Sequence, residues 1–383
     1  MQTEAWTLHE GLPNGGGERV TARLVRETIK IPEPTADEVL VEPLIGSWEG
    51  NMSHALQRHP IDICRFRKEP YVVLGNAGVV RVLRPGRDVN DFREGDICMV
   101  FCNGIWDEHG YPLRIYGYDA ERTIGILSRR TNLHRRQLIR LPADTRHSLG
   151  QWAAFSLRYI TAWANWKLAY GCYRLQCPKG DPHVWGWGGG VALAELQLAR
   201  NSGCKAAMLT SFCERADQLA GMDIRAVDRR PFQNLNYDPK RYRDDSGYRA
   251  SYQDAETRFL DALYSITEGN GVSIFVDLIG LPVFRATLKA LARPGVVTTS
   301  GWKHGMDLPL VRALECMNWH IHVHTHYARY EEGLEAVQYA EENGWVPPEE
   351  AAPWPWHCID ALGQEHVNGR IASWFPLYQV NPI

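Results

Sequence analysis

The chain is 383 residues long, 44% hydrophobic and 23% charged, with a formal net charge of −3. That length can bury two ordinary cores, and the near-neutral balance gives no electrostatic case for nucleic acid or an anionic membrane surface. No apolar run approaches the ~20 residues that span a bilayer, and the first stretch, MQTEAWTLHEGLPNGGGERV, lacks a signal-peptide core, so a cytoplasmic protein is expected.

Residues 1–150 carry short β-like runs broken by Gly and Pro. EVLVEPL (38–44), YVVLGNAGVVRVL (71–83) and DICMVF (96–101) are the clearest, separated by turn signals such as RPGRD and REGD. The pattern predicts a β-rich domain or barrel. The character changes near residue 150. AAFSLRYITAWANWKLAYG (153–171) has helical periodicity. After it, strand-like and helix-like segments alternate from PHVWGWGGG to VVTTSG, which predicts a parallel sheet covered on both faces. Residues 229–258 are polar and Tyr-rich and read as an inserted loop outside the core. YEEGLEAVQYAEENG (330–344) reads as an amphipathic helix. Nine cysteines are scattered with no CxxC pair, which reads as reduced thiols and gives no structural zinc site.

VWGWGGGVALAELQLA places a glycine turn between a strand and a helix. Such a turn lets backbone N–H groups approach a pyrophosphate at the helix N-terminus. Gly186, Gly188, Gly189, Gly190 and Val191 are the candidate phosphate cradle, with Ala192 at the last small position. Trp185 reads as strand core. Trp187 is large for a turn that nears phosphate and reads as shaping the pocket mouth. The next strand ends LTSFCER, without the Asp or Glu that would bind the ribose 2′-hydroxyl of NAD. Thr210, Ser211 and Arg215 suit the 2′-phosphate of NADP(H) instead, although Arg215 also fits a solvated helix charge. Gly280 and Ser300, at the ends of VSIFVDLIG and VVTTSG, complete the cofactor set.

With these segments in order, the chain resembles the medium-chain dehydrogenase/reductase superfamily over nearly its whole length. The carrying stretches are LGNAGVVRVLRPGRDVNDFREGDICMV, AAFSLRYITAW, VWGWGGGVALAELQLARNSGC and VDLIGLPVFRATLKALARPGVVTTSG. The resemblance implies an α/β protein with a GroES-like β-barrel catalytic domain (1–155), a Rossmann doubly wound parallel sheet (156–326) and a C-terminal return (327–383). It also implies an active site between domains and a homodimer. Zinc-using members carry ligands after the EVLV-type strand, after the LG step and in a third segment. Here those places read IGSWEGNMSH, which offers Trp48 or its neighbours, LGNAG, which offers Asn76, and AAFSLRYITAW, which has no Cys. No metal is therefore expected.

Within the zinc-free branch, the chain is similar to crotonyl-CoA reductase/carboxylases. RIYGYD resembles that group's aromatic–acidic pair and assigns it to Tyr118 and Asp119, while HTHYARY resembles its histidine segment and assigns His326. The family's NYN stretch reads WEG at 48–50, so carboxylation and CoA specificity do not carry over directly. Asn51 and Asn76 are further candidates to line the site. Asp119 also fits a simple turn cap, and Tyr118 a packing role.

NWHIHVHTHYARY puts His320, His322, His324 and His326 on alternate positions, one face of a strand, with neighbours ~6.6 Å apart. His326 falls at the strand's carboxyl end, where open α/β sheets bind ligands, and reads as a hydrogen-bonder or proton donor. The other three read as bystanders, on an edge that pairs across a dimer in this superfamily. The expected reaction is hydride transfer from NADPH to an activated alkene on a small-molecule substrate. Zinc-free carbonyl reduction and a non-catalytic nucleotide-binding scaffold are the alternatives.

Overall fold

The computed structural model describes residues 1–11, 21–211, 213–301, 307–325, 327–349 and 352–383. They fall into two compact units, Met1–Ile160 with Tyr327–Ile383, and Thr161–His326.

The first unit is built on antiparallel strands. These are β1 (Gln2–His9), β2 (Val25–Lys30), β3 (Glu38–Ser47), β4 (Tyr71–Val73), β5 (Gly78–Pro85), β6 (Ile97–Val100), β7 (Asn103–Trp106), β8 (Pro112–Ile115), β9 (Thr131–His134) and β10 (Leu138–Arg140). A sheet of order β10-β6-β5-β3, with β9 also on β3, curls into a half-barrel. Alternation explains it: Val39 and Val41 of β3, with Val80 and Val82 of β5, point to one fully buried face. Two short helices, α1 (Gly50–Gln57) and α2 (Ile63–Arg67), follow β3. The Asp62 carboxylate caps α2 by accepting the N–H groups of Cys64 and Arg65.

The long helix α3 (Leu149–Gln176) extends the predicted 153–171 at both ends. The second unit then alternates β11 (His183–Trp187), α4 (Gly190–Asn201), β12 (Lys205–Thr210), α5 (Cys213–Gly221) and β13 (Arg225–Asp228). It continues with α6 (Pro239–Asp244), α7 (Ser246–Ile266), β14 (Val272–Val276), α8 (Leu281–Ala290), β15 (Leu291–Thr299), α9 (Arg312–Asn318) and β16 (His320–His324). The sheet is parallel throughout, in the order β13-β12-β11-β14-β15-β16. That is the doubly wound arrangement, whose order reverses on either side of β11. Back in the first unit, α10 (Tyr330–Asn343) and α11 (Ile359–Val367) follow, and β17 (Leu377–Gln379) pairs with β3.

The polar stretch 229–258 is not a loop outside the core. Asp238 and Asp245 cap α6 and α7, and α7 buries Tyr252 and Ala255 beside Phe232, Leu235 and Phe259. Its polarity hid a one-faced pattern, with the buried positions spaced at helical intervals among solvated Arg and Asp residues.

Candidate functional site

The glycine turn lies at the carboxyl end of β11. The Gly188 N–H donates to Leu209 O at 3.0 Å, and a Cβ on Gly188 would sit 3.0 Å from that carbonyl and 3.8 Å from Arg215 Nη1. Gly189 takes φ +155°, and its carbonyl accepts the Leu193 N–H, which starts α4. Gly186, Gly188, Gly189, Gly190 and Val191 thus form one strand–turn–helix corner, with Arg215 beside it.

Trp187 does not shape a pocket mouth. It is 1% exposed and packs against Phe259 and Phe275, because the pleat turns it into the core that the helices of 229–258 complete. Its indole N–H donates to Thr287 Oγ1 at 2.8 Å, Thr287 lies 2.7 Å from Asp277 Oδ2, and Asp277 Oδ1 accepts the N–H groups of Ile279 and Gly280, both at 3.0 Å. Gly280, at φ +91°, is held in this way at the carboxyl end of β14. Burial raises the Asp277 carboxyl to about 6, against the pull of its hydrogen bonds to Gly280, Thr287 and Ile279.

Thr210 ends β12 and is buried, and Ser211 beyond it is exposed. Arg229 follows β13, and its backbone N–H donates to Thr210 O at 3.0 Å. Its half-buried guanidinium has no hydrogen-bond or ion-pair partner among the described residues, and burial alone holds its pKa below the usual arginine value. Arg230, next in the chain, is instead paired with Asp228 at 2.8 Å. Sequence reasoning missed Arg229 by assigning it to the insert; its place directly after IRAVD was the available signal. Ser300 follows β15, beside the Thr299 hydroxyl that donates to Gly301 O. All these positions sit at the carboxyl ends of parallel strands.

Behind the turn, Asn165 joins three elements. It donates to Glu195 Oε1 at 2.7 Å and accepts from the hydroxyls of Thr298 at 2.7 Å and Thr325 at 2.6 Å. Glu195 is fully buried, and desolvation raises it to about 8. In the histidine strand, His320 Nδ1 and His322 Nε2 both meet Glu315 Oε2, at 2.8 and 2.9 Å. His324 stacks on His322, and burial lowers its pKa. The expectation for His326 lies outside the described residues.

In the first unit, Tyr118 is buried, and desolvation pushes its phenol well above the ordinary value. Arg67, fully buried, donates to Tyr118 O and Thr123 O at 3.3 and 2.8 Å and fixes this turn. Asp119 Oδ1 accepts the Ile115 N–H at 2.5 Å, so it does cap the turn. Asn51 lies in the first turn of α1, with both carboxamide atoms buried and unpartnered among the described residues.

What the sequence reading missed is Glu49. Its Oε2 pairs with Arg158 Nε at 3.0 Å, and both side chains are buried. Arg158 also donates to Trp48 O at 2.7 Å and Ser47 Oγ at 3.4 Å. Burial raises the Glu49 pKa, while Arg158 and Ser47 oppose it. The Ser47 N–H donates to Ala77 O at 2.9 Å, so Asn76 belongs to the same corner, and its carboxamide is likewise buried without a partner. The three segments compared above with zinc-binding positions are therefore joined, by the Glu49–Arg158 pair and the Ser47–Ala77 backbone hydrogen bond, and the side chains they offer are a carboxyl, a carboxamide and a guanidinium. A divalent cation needs three donors and would be repelled by the fixed charge of Arg158, so this set does not fit zinc.

No family model matches the chain. A curated crotonyl-CoA reductase of Streptomyces avermitilis is 25% identical over 310 residues, which is 75% of this chain and 62% of that protein's length. A solved crotonyl-CoA carboxylase/reductase matches with TM-score 0.80 and 21% identity, over 99% of this chain and 88% of that one. The crotonyl-CoA carboxylase/reductase AntE in complex with NADP matches with TM-score 0.80 and 20% identity, over 100% and 95% of the two chains. An NAD-dependent alcohol dehydrogenase matches with TM-score 0.73 and 18% identity, over 99% and 100%. The fold is thus that of these enzymes, a GroES-like half-barrel and a Rossmann sheet.

Proposed function

We propose that the protein is an NADPH-dependent reductase of an activated C=C bond, in an enoyl thioester or an enone. The observation that carries the cofactor choice is Arg229, whose backbone N–H meets the Thr210 carbonyl at the end of β12 and whose partly desolvated guanidinium has no anionic partner among the described residues. Such a charge is costly until an anion meets it, and the 2′-phosphate that distinguishes NADPH from NADH is an anion of the right kind. Thr210, Ser211 and Arg215 supply further donors, and Gly188 to Val191 present backbone N–H groups to the pyrophosphate. Gly280 and Ser300 bound the same edge. AntE, whose solved structure holds NADP, supports this reading.

When bound, NADPH supplies the hydride. The chain's own residues orient the alkene and stabilise the enolate that forms. His326, with Tyr118, Asp119 or an ordered water, is proposed to polarise or protonate the substrate carbonyl, and Asn51 to line the site. Arg158 supplies a positive charge to this unit without a metal. Specialised metabolism fits the departure of WEG from the family's NYN, as does the likeness to a 2-octenoyl-CoA carboxylase reductase, CinF.

A homodimer is proposed on the open edge of β16. Val311, Leu314, Met317 and Trp319 expose 50 to 63% of their surface there, an apolar patch that a second copy would cover. The test of the function is a fluorescence titration with NADPH and NADH, followed by NADPH oxidation with enoyl thioesters and enones. Tight NADPH and weak NADH binding, with turnover on one substrate class, is expected. Binding of neither would sink the reading.

A further inference from the structure

We propose that Glu49 is the proton donor to carbon: its Oε1 delivers the proton that completes the reduced alkene, and Arg158 holds the carboxylate left behind. The inference rests on the reductase reading above and assigns it a catalytic acid.

The geometry is that of a group waiting for a partner. Glu49 is 3% exposed, and only one of its oxygens is used. Oε1 is buried with no hydrogen-bond partner among the described residues, and so are both carboxamide atoms of Asn51 and of Asn76. Buried polar atoms are nearly always satisfied. Three side chains with orphaned atoms, on two segments joined by the Ser47 N–H to Ala77 O hydrogen bond, therefore mark a place where a polar ligand belongs.

The chemistry fits a carbon acid–base step. A donor must hold its proton until an enolate forms, then tolerate the charge. Burial favours the neutral carboxyl, and Arg158 is already in place to meet the anion, fixed by Trp48 O and Ser47 Oγ and seated over the Phe375 ring. The other titratable groups that sense Glu49 are Cys102, Tyr327 and Tyr378, from three separate segments. Desolvation keeps each of these three protonated, and Arg158 is the charge paired directly with Glu49.

The step balances. Hydride from the nicotinamide adds to the β-carbon, and the π pair moves into the carbonyl as an enolate. The Glu49 O–H bond breaks and a C–H bond forms at the α-carbon. The carboxylate pairs with Arg158 and regains its proton from solvent.

The experiment compares the wild-type chain with E49Q. Two readouts apply: NADPH oxidation in D2O, with analysis of deuterium at the α-carbon, and an infrared difference spectrum without cofactor. E49Q is expected to bind NADPH unchanged, to turn over ~100-fold or more slowly, and to lose stereospecific α-deuteration. A carboxylic-acid C=O band of the wild type should disappear from its spectrum. Turnover within threefold of wild type with the same α-deuteration would overturn the role of Glu49 and leave the reductase reading standing. A wild-type chain inert on every enoyl thioester and enone, yet binding NADPH, would overturn both. Should E49Q fail to fold, E49D keeps the acid but withdraws it by one methylene. Slowed turnover with intact NADPH binding supports the proposal, and an unchanged rate overturns it.

Discussion

Asp277 and Glu49 are equally buried carboxyls with opposite surroundings. At the end of β14, both Asp277 oxygens are used, by two backbone N–H groups and Thr287. That carboxyl is a structural staple for the Gly280 turn. After β3, Glu49 shares one oxygen with Arg158 and leaves the other unmet. Burial alone does not separate a scaffold acid from a working one; the count of satisfied oxygens does. Glu195 is intermediate, with Oε1 held by Asn165 and Oε2 unmet.

The largest expected effect comes from that intermediate case. The folded pKa of Glu195 is raised to about 8 from an ordinary 4.5. Its neutral form therefore supports the fold fully below pH 4.5, and that support is lost as pH rises through 8. In E195Q, which stays neutral and keeps the bond to Asn165, stability relative to wild type should rise by on the order of 5 kcal/mol between pH 5 and 9. Urea unfolding at the two pH values measures it, and parallel curves would show that Glu195 is not desolvated.

Next, R158M should cost about 3 kcal/mol by leaving Glu49 Oε2, Trp48 O and Ser47 Oγ without their buried donor, and E49L/R158M should recover part of it. A double variant as unstable as the single would mean that Arg158 acts through packing on Phe375. D277A should cost about 3 kcal/mol, because it orphans two buried N–H groups, and should weaken NADPH and NADH binding alike by loosening the Gly280 turn. Equal stability would remove the contrast with Glu49. The smallest effect is R229A, expected to weaken NADPH about 10- to 100-fold, which is about 1.4–2.7 kcal/mol, and to leave NADH unchanged. Equal losses for both cofactors would move the 2′-phosphate elsewhere.

The alternation of strands and helices and the glycine turn were legible because their signals are local. Period and turn chemistry are written in neighbouring residues, and Gly186 to Val191 fell where VWGWGGGV predicted. The stretch 229–258 was not legible, since its polarity outweighed a single buried face. Trp187 was misplaced for a related reason. Which way a strand residue points depends on the register of the whole sheet, and here it points to Thr287, 100 positions away.

The sequence by itself determined the order of elements, the two kinds of sheet and the glycine turn between strand and helix, all products of short-range stereochemistry. Only the tertiary structure decided that Glu49 pairs with Arg158 beside the segment of Asn76, and that Arg229, whose backbone meets Thr210, has no side-chain partner among the described residues. Those are meetings of distant segments, set by sheet pairing and helix packing, and the free energy of a buried charge depends on what surrounds it in space.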